Sequence, residues 1–222
     1  MTNKLITLGK QLSRFVVGAE GNVSQRSGNG FMIKASGKSL NNMDYNSIVR
    51  CDQGGKVQDG PIRCDNRPSI ETDFHAWIYA NSDYSFIAHT HPVNTLKILC
   101  SDAIYSFAEE RLFPDHVVFN GPISCVVPYA TPGIELMKAI EKSTSEFKKH
   151  NKVFPNLFLL KSHGIICCTN STQEAIVMTE ICEKAAEVFL GAALAGDTCF
   201  LTKQEIEDIE QHKGEAHRKK LL

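Results

Sequence analysis

The 222-residue sequence predicts a mixed fold of the α/β class. Apolar residues at helical spacing alternate along the chain with short apolar runs of strand length, and glycine or proline punctuates the boundaries. No internal repeat, low-complexity segment or long linker interrupts this alternation. At this length roughly 70% of the unfolded chain's surface can be buried, enough for one substantial core. A single domain spanning 1–222 is therefore expected.

Leu5, Leu8, Leu12, Phe15 and Val16 recur at helical spacing and predict an opening amphipathic helix that stops before Gly18. Phe31-Met32-Ile33 reads as a short strand between Gly28-Asn29-Gly30 and Ser36-Gly37. The polar stretch from Asn41 to Arg67, with Gly54-Gly55 and Pro61, reads as hairpin and loop. Ile70, Phe74, Ala76, Trp77 and Ile78 suit a helix over 70–80. Ser85 to His91 suits a strand closed by Pro92, and the proline can open a helix carrying Leu96, Ile98, Leu99 and Ile104. Cys125-Val126-Val127 is a strand before the turn at Thr131-Pro132-Gly133, and a helix follows from Ile134 to about His150. Leu157–Leu160 and Ile165–Cys168 are buried strands that meet around His163-Gly164. Ser171 or Thr172 can cap a long helix from Glu174 to about Ala192, and Thr202 with Glu205 makes a capping-box signal for the last one.

Composition excludes several function classes. Lysine and arginine total 24 against 25 aspartates and glutamates, a formal net charge of −1, so no electrostatic footprint for nucleic acid or an anionic membrane exists. The one basic cluster, Arg218-Lys219-Lys220, reads as a solvated tail. No window approaches the run of about 20 apolar residues that a membrane span requires. The first ten residues have no apolar core of a signal peptide, so a reducing, cytoplasmic setting is expected. The eight cysteines (51, 64, 100, 125, 167, 168, 182 and 199) form no C-x-x-C pair and read as small buried hydrophobes.

The chemistry concentrates in a few polar residues. His89-Thr90-His91 ends an apolar strand; positions i and i+2 share one side of a strand, so both imidazoles can converge on one metal ion. His163 stands beside Gly164, which leaves room for a second backbone or a ligand. With the pair it completes three nitrogens, the ligand count of a catalytic rather than a structural zinc site. Glu71 opens the helix that precedes the histidine strand, and that helix start can lie beside the strand's far end. There it can act as a fourth ligand or a general acid/base. Asp73 and His75 share the segment; His75 reads as a structural histidine. Gly21-Asn22-Val23-Ser24, Ser36-Gly37 and Ser69 are small polar loop residues able to offer donors to an anion, although none forms a P-loop or G-x-G-x-x-G fingerprint.

The order of these features is more specific than any one of them. Gly21-Asn22-Val23-Ser24, Ser36-Gly37, Arg67-Pro68-Ser69-Ile70-Glu71, His89-Thr90-His91, Pro128-Tyr129 with Pro132-Gly133, and Ser162-His163-Gly164 together resemble the class II aldolase/adducin family, from about Leu5 to about Gly196. The resemblance implies a three-layer α/β/α sandwich around a mostly antiparallel sheet, assembled as a homotetramer with active sites at subunit interfaces. It implies one Zn²⁺ per subunit on His89, His91 and His163, Glu71 as acid/base, and phosphate-binding contacts from Gly21, Asn22, Ser36, Gly37 and Ser69. The implied reaction is aldol cleavage of a small ketose, expected to be a ketose phosphate, through a metal-stabilised enediolate.

The sequence also departs from the family. Ile70 stands where the aldolases place a second small polar donor. The aldolases use a tyrosine near the C-terminus, whereas the last tyrosine here is Tyr129 and the tail carries His217. Asp115 lies roughly where the family's epimerase draws an acidic residue from a neighbouring subunit, yet an aspartate after proline is also an ordinary turn residue. Epimerisation or dehydration of a sugar phosphate on the same site, and an adducin-like interaction domain without chemistry, stand as the alternatives.

Overall fold

A computed structural model of the chain describes residues 2–58 and 67–220. Pro61 and Cys64 fall outside them. The elements run α1 (Thr2–Leu12), β1 (Asn22–Ser27), β2 (Gly30–Lys34), β3 (Ile48–Asp52), α2 (Thr72–Asn81), β4 (Phe86–Thr90), α3 (Val93–Leu99), α4 (Ile104–Glu109), α5 (Pro114–Asn120), β5 (Cys125–Val127), α6 (Ile134–Asn151), β6 (Leu157–Leu160), β7 (Gly164–Thr169), α7 (Thr172–Ala195), α8 (Lys203–Gln211) and α9 (Lys213–Lys220).

The seven strands form one sheet in the order β3-β2-β1-β4-β7-β6-β5. All neighbours are antiparallel except β5 and β6. Alternate side chains divide between two apolar layers. Val23, Met32, Ala88, Ile165 and Cys167 pack with α1, α3, α4 and α7. Phe31, Ile33, Ile87, Ile166 and Cys168 face the other way, onto α2 and α6. This period-two division produces the expected α/β/α sandwich. It also explains why β4, β6 and β7 read as continuous apolar runs, since both their faces are covered.

The helix ends obey local chemistry. Ser171 Oγ accepts from the Glu174 amide at 3.0 Å at the start of α7, and Thr202 and Glu205 complete the reciprocal capping box of α8.

Other expectations are corrected. Residues 22–24, read as loop, belong to β1, inside the sheet between β2 and β4; this strand is polar on the α2 side because Asn22 and Ser24 bond there to other side chains. The hairpin expected within 41–67 is present in its described part, where β3 pairs with β2 and Cys51 bridges Val57 across a turn. The opening helix ends at Leu12 and continues only as a 3-10 turn over Ser13–Phe15. The helix after Pro92 is two helices, α3 and α4, separated around Ser101, whose Oγ donates back to Ile98 O. Asp115 is no simple turn residue, since it occupies the first turn of α5.

The basic tail folds as α9. Arg218 is exposed, as expected of a solvated run, but it also bonds Asp115 at 2.5 Å and Glu215 at 2.7 Å and lies over the Phe119 ring. Cys51, Cys125, Cys167, Cys168 and Cys182 are buried as expected, but Cys100 and Cys199 are exposed. Burial pushes the Cys51 thiol up to about 11 and the Cys125 and Cys167 thiols up to about 12. Among the described residues no helix is long and apolar enough to cross a membrane.

Candidate active site

Two sheet connections and one helix start meet at the end of β4. His89 is the fourth residue of β4, His91 follows the strand, and His163 occupies the turn between β6 and β7. Their ring centroids lie 4.8, 4.9 and 5.3 Å apart, and one nitrogen from each falls within 4.8 Å of the others. The turn is shaped for this approach. A Cβ on Gly164 would stand 2.5 Å from His91 Cδ2 and 2.6 Å from Thr90 O. Gly21, at φ +63°, is under a similar constraint, since a Cβ there would meet His89 O at 2.7 Å.

Hydrogen bonds assign the ring nitrogens. His89 Nδ1 lies 2.9 Å from Ile165 O, a pure acceptor, so Nδ1 carries the hydrogen and Nε2 keeps its lone pair. His91 Nδ1 faces the Glu20 carboxylate at 3.3 Å and carries its hydrogen there. The two Nε2 atoms then lie 3.0 Å apart with lone pairs on both. Burial pushes the His89 imidazole down to about 4 and holds His91 below its ordinary value, so both are neutral at pH 7. Two lone pairs that converge with no hydrogen between them repel each other, and a cation relieves that repulsion. Three imidazoles, at least two with a carboxylate or carbonyl fixing the remote nitrogen, are a donor set that fits a divalent metal such as zinc.

Glu71 directly precedes α2. Its two carboxylate oxygens face His89 Nε2 and His163 Nε2, each at 3.3 Å, and Oε2 accepts from Asn22 Nδ2 at 2.8 Å. Burial by itself raises this carboxyl's pKa, but the His89 imidazole, charged in the acid range where the carboxyl titrates, and the hydrogen bonds from His163 and Asn22 outweigh it and hold the group below the ordinary carboxylate range, so that it is ionised at neutral pH. Ser69 Oγ accepts from the Glu71 amide at 3.3 Å and from Asn22 Nδ2 at 3.2 Å.

The small polar residues also assemble. Ser36 N donates to Arg67 O and Ala35 pairs with Pro68, which sets the exposed Ser36-Gly37 turn beside the Ser69–Glu71 segment. Gly21 and Asn22 join them through β1. Lys34, absent from the sequence reading, is buried, and its ammonium donates to Ala19 O and Lys38 O, tying the loop before β1 to the 36–37 turn. Burial pushes it down to about 8. Glu20 was likewise unforeseen, because its partner His91 is 71 residues away in the chain. Asp115 and His217 lie on α5 and α9, which touch each other, and Asp115 is held by Arg218. Among the described residues, no hydrogen bond or ion pair joins either of them to the histidine cluster. Ile70 is 68% exposed at the rim.

Residues 4–190 match the family described as Class II Aldolase and Adducin N-terminal domain. The chain belongs to this family. The L-fuculose phosphate aldolase of Methanocaldococcus jannaschii is 26% identical over 179 residues, covering 80% of this chain and 87% of that protein. The 3-oxo-tetronate 4-phosphate decarboxylase of Escherichia coli K12 is 27% identical over 199 residues, covering 88% and 87%. Among solved structures, an L-fuculose 1-phosphate aldolase superposes with a TM-score of 0.78 at 23% identity over 93% of this chain and 92% of that one. A sugar-phosphate aldolase from Thermotoga maritima gives 0.72 at 19% identity, covering 87% and 95%. These structural likenesses establish the fold, and with it the expected sandwich.

Proposed function

We propose that this class II aldolase family member is a zinc-dependent lyase that breaks a carbon–carbon bond beside the ketone of a small ketose phosphate. The observation that carries this reading is the meeting of three imidazoles with an ionised carboxylate at the end of the central strand β4. His89, His91 and His163 would hold the metal. When bound, it would polarise the ketone and stabilise the enediolate left by bond cleavage.

Glu71 is the proton carrier in this reading. Its ionised carboxylate, held by Asn22, would take up the proton released when the substrate hydroxyl becomes the aldehyde, deliver it to the enediolate carbon, and remove it again in the reverse direction. Gly21, Ser36, Gly37 and Ser69 would bind the phosphate, with Asn22 as their neighbour, its side-chain amide already given to Glu71 and Ser69. Their loops are held together by the Ser36–Arg67 and Lys34 bonds, so the anion would meet a site already formed. Assembly as a homotetramer with active sites at subunit interfaces is part of this reading. The chain would act as one domain, and its seven free cysteines among the described residues support a cytoplasmic location.

The two named relatives act on different substrates, but the chemistry of those substrates converges. Retro-aldol cleavage of L-fuculose 1-phosphate and decarboxylation of 3-oxo-tetronate 4-phosphate both leave the electron pair on the carbon beside the ketone. Both therefore pass through the same enediolate, and protonation gives dihydroxyacetone phosphate. The decarboxylase relative thus favours a second reading with the same residues and a different leaving group. Incubating metal-loaded protein with each compound separates the two. Dihydroxyacetone phosphate with an aldehyde supports the aldolase, the same product with carbon dioxide supports the decarboxylase, and an epimer without fragments contradicts both.

A further inference from the structure

Behind Glu71 a file of buried polar side chains crosses from β1 to α2. Asn22 Nδ2 donates to Glu71 Oε2 at 2.8 Å, and Asn22 Oδ1 faces His75 Nε2 at 2.5 Å. His75 Nδ1 in turn faces Ser24 Oγ at 2.7 Å, and Ser24 Oγ faces the Tyr79 hydroxyl at 2.7 Å. All five residues are buried, and His75 is fully so.

The direction of every link follows from the ends. An ionised carboxylate only accepts, so the Asn22 amide must present its NH₂ to Glu71 and its oxygen to His75. That oxygen only accepts, so His75 carries its hydrogen on Nε2. Nδ1 is then an acceptor for the Ser24 hydroxyl, whose oxygen accepts from Tyr79. The opposite tautomer would demand the Asn22 NH₂ for itself and turn the amide oxygen onto the Glu71 carboxylate, acceptor against acceptor. Burial pushes the imidazole down to about 3, so it remains neutral and a single tautomer is selected.

We propose that His75 is a positioning residue, which through Asn22 locks the Glu71 carboxylate in the orientation where it faces the histidine cluster. The role goes beyond filling the core beside Phe74, on which His75 stacks at 4.4 Å. It rests on the proposal that Glu71 carries the proton. A free Asn22 amide could rotate; fixed by His75, its NH₂ is committed to the carboxylate.

The test has two parts. First, ¹⁵N-edited spectra of the native, metal-free protein at pH 7 should show His75 protonated on Nε2 and bare on Nδ1; an Nδ1–H tautomer overturns the proposal without any assay of activity. Second, the probe for proton movement is deuterium uptake from D₂O into dihydroxyacetone phosphate. His75→Leu should keep full metal content and a near-unchanged half-saturation concentration while its exchange rate falls about 10- to 100-fold, the usual cost of losing an outer partner. His75→Gln, which retains a donor for Asn22, should recover most of that rate. Equal losses in both variants, tracking lost metal or lost folding, would reduce His75 to packing. Glu71→Gln, measured alongside, should abolish exchange. Exchange that survives there overturns the proton-carrier reading, while the tautomer measurement still reports on His75 independently.

Discussion

Asn22 and His89 are direct partners across the antiparallel pairing of β1 and β4, and the Glu71 carboxylate touches both side chains. A carboxylate bound by an amide on one strand and an imidazole on the next cannot shift without breaking one of them. The sheet register, set by the apolar residues around it, therefore carries over into the geometry of the site.

Glu71→Gln is expected to leave metal content unchanged, because three imidazoles remain. Turnover should fall by about 10² to 10⁴, the range of a lost general acid/base. Metal analysis and steady-state rates on one preparation check both halves. Unchanged turnover would place the proton on another group.

Gly164→Ala should damage the site from outside it. The added methyl would sit 2.5 Å from His91 Cδ2 and 2.6 Å from a backbone oxygen, neither of which can give way cheaply. A destabilisation of about 1–3 kcal/mol is expected from overpacking, together with weakened metal binding. Thermal denaturation and metal titration measure these, and a variant with native values in both would contradict the close approach.

Arg111→Leu should be among the most destabilising single changes outside the site. Arg111 is fully buried and donates to the carbonyls of Phe107, Ala108, Glu110 and Gly121 and to Ser124 Oγ. Removing the guanidinium leaves these acceptors buried and unpaired, a loss of about 3 kcal/mol or more. Denaturant unfolding at pH 7 reads the difference directly.

The metal-free protein should lose stability as pH falls from about 6.5 toward 4. Folding depresses His75 to about 3 and His89 to about 4. In that window the unfolded chain binds protons that the folded chain refuses. The contribution is therefore fully present above pH 6.5 and is lost on acidification. Denaturant midpoints at pH 7.5 and 5 should differ with the lower pH less stable, and His75→Gln should flatten the dependence. A midpoint that is level over this range would show that these rings are not held neutral.

Much of this architecture was legible because burial leaves a period. β4, β6 and β7 announced themselves as unbroken apolar runs, and α6 and α7 by helical spacing and a serine cap. The histidine triad was legible from i, i+2 spacing and from a glycine whose missing side chain the rings now occupy. β1 was not legible, since its polar residues serve Glu71 and His75 rather than the core, so function erased the strand pattern. Lys34 and Glu20 were hidden for a related reason: their partners lie in turns, and nothing in a single sequence pairs Glu20 with His91. The docking of α9 through Arg218 and Asp115 escaped notice because a basic run at a chain end looks the same whether solvated or paired.

The central claim is that the imidazole cluster and Glu71 together generate and protonate an enediolate beside a ketone. Deuterium uptake into dihydroxyacetone phosphate by zinc-loaded protein tests it without knowledge of the full substrate. The account predicts uptake of one deuterium at the hydroxyl-bearing carbon, lost on chelation and lost again in Glu71→Gln with zinc still bound. No uptake by the fully zinc-loaded protein, or uptake indifferent to both changes, would contradict it.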